Sequence, residues 1–213
     1  GFIYGLETAR AYVNSGAARN VLVIGAEVYS KIINWKDRNT CVLFGDGAGA
    51  VVVTTDELGG ASKVVDSVLR SRGSGADALL RPVGGSRNPV SSCGSTEDIY
   101  LQMQGRKVYT FAVQVVVDTI NELLERNRLT IDDIDHVVPH QANARIIEAA
   151  CKRAGFPREK FFVNIGEYAN TSAASIPIAL DEMVRKDLLH RGDRVVTVGF
   201  GAGLAYGGNY LIW

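Results

Sequence analysis

Apolar positions along the chain switch between two spacings, and the switches mark out the elements. Residues 1–15 carry Phe2, Ile3, Leu6, Ala9, Tyr12 and Val13 at helical intervals and stop at Gly16, which predicts a buried helix. Residues 20–25 form a β-branched run without alternation, the pattern of a central strand covered on both faces in a parallel sheet. Residues 30–40 are a polar connection, residues 41–44 a short apolar run, and residues 51–55 and 63–69 two further strands. The spacing of Met103, Val108, Phe111, Val115, Val116, Ile120, Leu123 and Leu124 predicts a long helix over residues 100–126. Thr130 and Asp133 can cap a short turn before a strand at residues 135–138. A helix over 141–154 ending at Gly155, a short strand at 161–163, a helix over 172–189 and strands at 194–198 and 210–212 complete the pattern. Pro177 is expected to bend its helix near Ala173.

One order occurs twice. Helix 1–15, strand 21–24, glycine turn 45–49 and strand 51–54 recur as helix 172–189, strand 195–198, glycine turn 199–203 and strand 204–212, the mark of an internal duplication. The first glycine turn lacks the G-x-G-x-x-G spacing and runs into a strand instead of a helix, so a dinucleotide loop is rejected there. Close backbone packing is the better reason for those glycines. Residues 70–95, rich in Gly, Ser and Arg, are too long for a simple connector and suit a covering loop.

Composition narrows the function classes. With 46% hydrophobic and 22% charged residues the chain is ordinary for a globular protein, and 23 basic against 23 acidic residues argue against general nucleic-acid binding. No apolar run approaches the roughly 18 residues of a membrane span, and no secretory signal is visible at the start. Cys41, Cys93 and Cys151 are too few and too scattered for a disulfide framework or a metal knuckle, which fits a cytoplasmic protein without a metal. Among the three histidines, His140 stands apart. It follows Pro139 where a strand gives way to a helix, whereas His136 and His190 lack such a setting.

Four stretches then carry a resemblance. Pro139-His140-Gln141-Ala142-Asn143, Asn170-Thr171-Ser172-Ala173-Ala174-Ser175, Phe44-Gly45-Asp46-Gly47-Ala48-Gly49-Ala50 and Gly199-Phe200-Gly201-Ala202-Gly203 together resemble the β-ketoacyl-acyl-carrier-protein synthase III family of the thiolase superfamily. The resemblance implies an α/β fold of duplicated βαβαβαββ units, five-layered α/β/α/β/α in the intact enzyme. Residues 1–57 would be the remainder of a first half and residues 58–213 the second half. It implies decarboxylative condensation of an acyl-CoA with malonyl-acyl carrier protein at the start of fatty-acid synthesis, in a homodimer, with a coenzyme A thioester as substrate and no metal or redox cofactor. His140 and Asn170 are then the catalytic pair, and the Ala202 backbone N–H belongs to an oxyanion hole. Asn143, Phe200, Gly201 and Arg106 contact substrate, while Arg145, Lys152 and Arg153 dock the carrier protein on a surface that Arg106 and Lys107 extend.

The chemistry of the two side chains agrees. Removing carbon dioxide from a malonyl thioester leaves an enolate, and two aimed donors stabilise its oxygen where the charge develops. The plainer alternatives are that His140 ends a strand and Asn170 caps a helix. The family's nucleophile is a cysteine two residues before the Gly-Phe of the following helix. Since this chain starts at Gly1-Phe2, it is expected to be a C-terminal portion lacking that thiol and inactive alone. Ala169 and Ala202 stand where the family usually has Gly, which adds a methyl group where φ > 0 is sometimes required. Another thiolase-superfamily condensing enzyme, of polyketide or quinolone type, and a non-catalytic partner are the competing readings.

Overall fold

The computed structural model describes residues 1–56, 60, 62–92 and 98–213. The boundary expected between residues 57 and 58, Cys93 and the end of the 70–95 loop lie outside the described residues. Helix α1 (Phe2–Asn14) leads into strand β1 (Asn20–Glu27), which pairs antiparallel with β2 (Gly47–Thr54) from Asn20↔Thr54 to Glu27↔Gly47. Strands β3 (Lys63–Ser71), β6 (His136–Pro139), β7 (Arg194–Gly201) and β8 (Ala205–Ile212) form a second sheet in the order β3-β8-β7-β6. A two-residue pair, β4 (Leu79–Leu80) with β5 (Gln102–Met103), stands apart.

Four helices cover the sheets. α1 and α5 (Ser175–Arg185) share a core in which Phe2, Ile3 and Leu6 meet Ile176, Leu180 and Met183, with Val23 of β1 on one side and Val195 and Leu211 of the larger sheet on the other. On that sheet's far face, α2 (Gly105–Asn127) packs with α3 (Ala144–Ala154), burying Val116, Ile120 and Leu123 against Val137, Val196, Val198 and Tyr210. The order is therefore β/α/β/α. Burial of each such side chain supplies roughly 1.5–3 kcal/mol before conformational entropy is counted. β6 pairs with β7 in parallel, and Val137, Val138, Val195, Val196 and Val198 are all inaccessible, which explains the unbroken apolar runs.

Several boundaries differ from expectation. Met103 belongs to β5, and α2 begins only at Gly105. Residues 161–163 make a single bridge, Val137↔Phe161, rather than a strand. β1 is not a central parallel strand: it pairs with β2 alone among the described residues, and Leu22 and Ile24 are 59% and 61% exposed. Helix 172–189 is a 3-10 turn (Ser172–Ala174) followed by α5, which stops at Arg185 before Asp187 turns left-handed at φ 55°. Pro177 is the third residue of α5. Its missing N–H belongs to the first turn, whose donors have no intrahelical partner, so no bend follows.

The repeat is plain in three dimensions. β1–β2 and β7–β8 are antiparallel pairs of eight-residue strands, each entered from its own helix, α1 or α5. Gly25 and Gly49 face each other across β1–β2, and both abut the start of the other repeat's helix. A Cβ on Gly25 would lie 2.4 Å from Ala173 O, and one on Gly49 2.9 Å from Ile178 N, so these glycines let backbone meet backbone.

Candidate active site

His140 lies at the carboxyl end of a parallel strand, where open α/β sheets place their ligands. Its N–H continues the ladder by donating to Val198 O at 2.7 Å. The chain then turns, and Asn143 caps α3 by accepting the Arg145 N–H at 2.9 Å through Oδ1, so the helix begins three residues later than its apolar spacing implies. Below the turn, Gln141 is almost wholly buried. Its Nε2 donates to Pro139 O and Phe162 O, and its Oε1 accepts the Asn164 N–H. Asn164 Nδ2 in turn donates to Glu182 at 2.7 Å, and Lys186 pairs with the other Glu182 oxygen. Burial alone would raise the Glu182 pKa, but those bonds outweigh it and hold the carboxyl below its usual range.

Asn170 reaches the same place from the other side. After the single-turn helix α4 (Ile165–Tyr168), Ala169 adopts φ 59°, ψ −163°, and Asn170 is strapped to the loop before β2. Its N–H donates to Leu43 O at 2.9 Å, and its carbonyl accepts the Gly45 N–H at 3.0 Å. The side-chain Oδ1 accepts the Ser172 N–H at 3.0 Å. A backbone donor fixes which end of the amide is oxygen and leaves the Nδ2 hydrogens to point elsewhere.

Both side chains line one cavity of about 890 Å³. The sequence-predicted Asn143, Phe200, Gly201, Ala202, Arg106 and Arg145 also line it. Lys152 and Arg153 do not: both are exposed on the last turn of α3, and Arg153 bonds Gln114. The Phe200 ring stands edge-on to His140 with centroids 5.4 Å apart. Desolvation by burial lowers the imidazole pKa to about 4, so at neutral pH the ring is uncharged. The other histidines lie away from the cavity: His136 is 3.4 Å from Asp193, and His190 is exposed beside Asp187.

The two departures at alanine resolve differently. At Ala202 no left-handed angle is needed, because the next residue, Gly203, takes φ 118°. At Ala169 the positive φ is real and is borne by an L residue. Sequence reasoning missed Tyr29, just before the stretch that reads as polar connection, and Asp37 and Asn39 within it, all of which line the cavity; no spacing there marks them. Ser175 was missed too, although it closes the Asn-Thr-Ser-Ala-Ala-Ser motif. Its Oγ lies 2.6 Å from His140 Nδ1.

Duplicated hairpins over shared middle helices, with a histidine and an asparagine opening on one cavity, define a thiolase-like α/β protein. Family models agree on a narrower assignment. The 3-oxoacyl-[acyl-carrier-protein] synthase III model matches residues 1–73, and the model of that enzyme's C-terminal region matches residues 124–213. A β-ketoacyl-[acyl-carrier-protein] synthase III from Caldanaerobacter subterraneus is 52% identical over the whole chain, and one from Clostridium acetobutylicum 46%. The crystal structure of the 3-oxoacyl-[acyl-carrier-protein] synthase III of Aquifex aeolicus superposes over the whole chain and 64% of its own, at 41% identity and a TM-score of 0.89. The priming β-ketosynthase of the R1128 polyketide pathway superposes over the whole chain and 62% of its own, with 36% identity and a TM-score of 0.86. The chain belongs to the β-ketoacyl-acyl-carrier-protein synthase III family. It spans 64% and 65% of the length of the two curated relatives.

Proposed function

We propose that this cavity stabilises the enolate in a decarboxylating condensing acyltransferase, the reaction that joins an acyl-CoA to malonyl-acyl carrier protein and begins fatty-acid synthesis. His140 Nε2–H and Asn170 Nδ2–H are the two donors to the malonyl thioester oxygen. As the malonyl carboxylate leaves as carbon dioxide, its bonding electrons pass into the enolate that these donors hold. The carbanion then attacks the enzyme-bound acyl group and displaces the thiolate. The observation that carries the reading is that both side chains, one from the end of β6 and one from the loop after α4, open on one cavity. A neutral imidazole is also what the step needs, since it donates without trapping the enolate as an enol.

The attacking thiol is assigned to a residue outside these 213. Among the described residues the two cysteines, Cys41 and Cys151, do not line the cavity, and burial raises the Cys151 pKa, away from reactivity. The backbone N–H of Ala202 is assigned to the acyl oxyanion hole. Asn143, Phe200, Gly201 and Arg106 are assigned to substrate binding, and Arg145, Lys152 and Arg153 to carrier-protein docking. Arg145 at the cavity mouth and exposed Lys152 and Arg153 at the far end of the same helix support that reading. A cytoplasmic homodimer without metal or redox cofactor completes the reading. No helix among the described residues is long and apolar enough to cross a membrane.

In a protein of the relatives' full length that carries the thiol, His140→Ala or Asn170→Ala should slow malonyl decarboxylation about 10²–10³-fold while leaving acylation of the thiol near its original rate. Equal loss of both steps would point to collapse of the site and count against the assignment. The 213 residues alone should show no condensation. The similarity to a polyketide priming enzyme favours a second reading, with the same chemistry on a different acyl thioester. Preference for a CoA-bound over a carrier-bound malonyl group would favour that reading.

A further inference from the structure

The proposed donor role demands a particular proton on His140, and the contact with Ser175 decides where it sits. Ser175 is 2% exposed and is the first residue of α5. Its Oγ lies 2.6 Å from His140 Nδ1 and 3.3 Å from the Gln141 N–H, which donates to it. Among the described residues no other partner of this hydroxyl occurs. The usual helical outlet for a serine proton, the carbonyl four residues back, belongs to Thr171 and accepts the Ala174 N–H instead.

Two arrangements are conceivable. If Nδ1 carried the proton, Oγ would accept from both His140 and Gln141, and its own hydrogen would be left buried without an acceptor. If Nδ1 is bare, the hydroxyl accepts from Gln141, donates to Nδ1, and every buried group is satisfied. We infer that Ser175 is a positioning residue that locks His140 in the Nε2–H tautomer and so turns its one donor toward the cavity. Phe200 closes one side of the ring and the His140 backbone is pinned to Val198, so the hydroxyl acts on a ring already held in place. The 3-10 turn at Ser172–Ala174 brings this about, since it delays the helix until Ser175 occupies its first position.

This inference deepens the proposed function and rests on it for its catalytic meaning, but the tautomer is measurable without turnover. Long-range ¹H–¹⁵N correlation spectra of the 213-residue chain at pH 7, with His140 assigned by its loss in His140→Gln, should show a pyridine-like Nδ1 and a protonated Nε2. Ser175→Ala should shift both nitrogens toward a mixture of tautomers, and Ser175→Thr should restore the original pair. A protonated Nδ1 in the unsubstituted chain overturns the inference whatever the variants do, and so does a Ser175→Ala spectrum with unchanged nitrogen shifts. In the full-length protein, Ser175→Ala should lower kcat for malonyl decarboxylation about tenfold with little change in KM. If the unsubstituted full-length protein does not decarboxylate malonyl thioesters while the tautomer is as stated, the functional reading fails and the role of Ser175 stands.

Discussion

The two hairpins, β1–β2 and β7–β8, share strand length, entry from a helix and antiparallel pairing, yet they occupy opposite situations. β7–β8 lies between two more strands and under helices on both faces, and its end supplies Phe200, Gly201 and Ala202 to the cavity. β1–β2 has one face against the middle helices, while the other shows Leu22, Ile24 and Val52 at 59%, 61% and 64% exposure. An apolar strand pattern thus states how much cover a strand is built for. It does not state that the cover lies within the same 213 residues. The halves also brace each other crosswise: Gly25 sits on Ala173, and its counterpart Gly199 sits on Ile3.

The crosswise bracing gives the largest expected effect. At Gly25 the obstacle is backbone, so Gly25→Ala should cost about 3 kcal/mol by urea unfolding. At Gly199 the nearest atom is Ile3 Cγ1 at 3.2 Å, a side chain that can shift, so Gly199→Ala should cost less than about 1 kcal/mol. Equal costs would show that the two contacts are equivalent and break the comparison. Acid strikes the second copy almost as hard. The folded-state pKa of His140, about 4, lies below the ordinary 6.5, so the unfolded chain takes up the proton more readily. That contribution is intact above pH 6.5 and is lost as pH falls from there toward 4. Between pH 7 and pH 4.5 it amounts to about 2–3 kcal/mol, and His140→Gln should flatten the decline by that much. An unchanged slope would refute the shift.

Smaller effects sharpen the contrast. Ala169 pays for its left-handed angle where the two halves meet at Asn170, so Ala169→Gly should raise stability by about 1 kcal/mol, visible as a higher Tm. A fall would mean that the methyl group packs usefully. On the open face, Leu22→Thr with Ile24→Thr should change stability by less than about 0.5 kcal/mol while clearly reducing the binding of an apolar fluorescent dye. Undiminished dye binding would place the exposed apolar surface elsewhere.

Much of the site could be read before any coordinates. His140 and Asn170 stood out because each lies where one periodicity stops and another starts, and the two lie on one cavity. The Thr130 and Asp133 capping box was equally local and is present with both of its bonds. What failed were boundaries set by partners distant in sequence. Met103 has helical spacing but pairs with Leu79, and α5 starts late because Ser172 turns left-handed and gives its N–H to Asn170. Tyr29, Asp37 and Asn39 carry no periodic signal, since residues in a short 3-10 turn or a loop reach a cavity only through the path of the connection that carries them.

By itself the sequence determined the alternation of helix and strand, the duplication and the two polar side chains, His140 and Asn170, that stand where one spacing gives way to another, because these depend on residue type and spacing over a few turns. Tertiary structure alone decided that Gly25 meets Ala173, that Lys152 and Arg153 stand clear of the cavity, and that a serine hydroxyl reaches the imidazole. Those outcomes depend on where the backbones of separate elements come to rest, and the final register of α5, one 3-10 turn later than its pattern implies, sets the partner of the histidine.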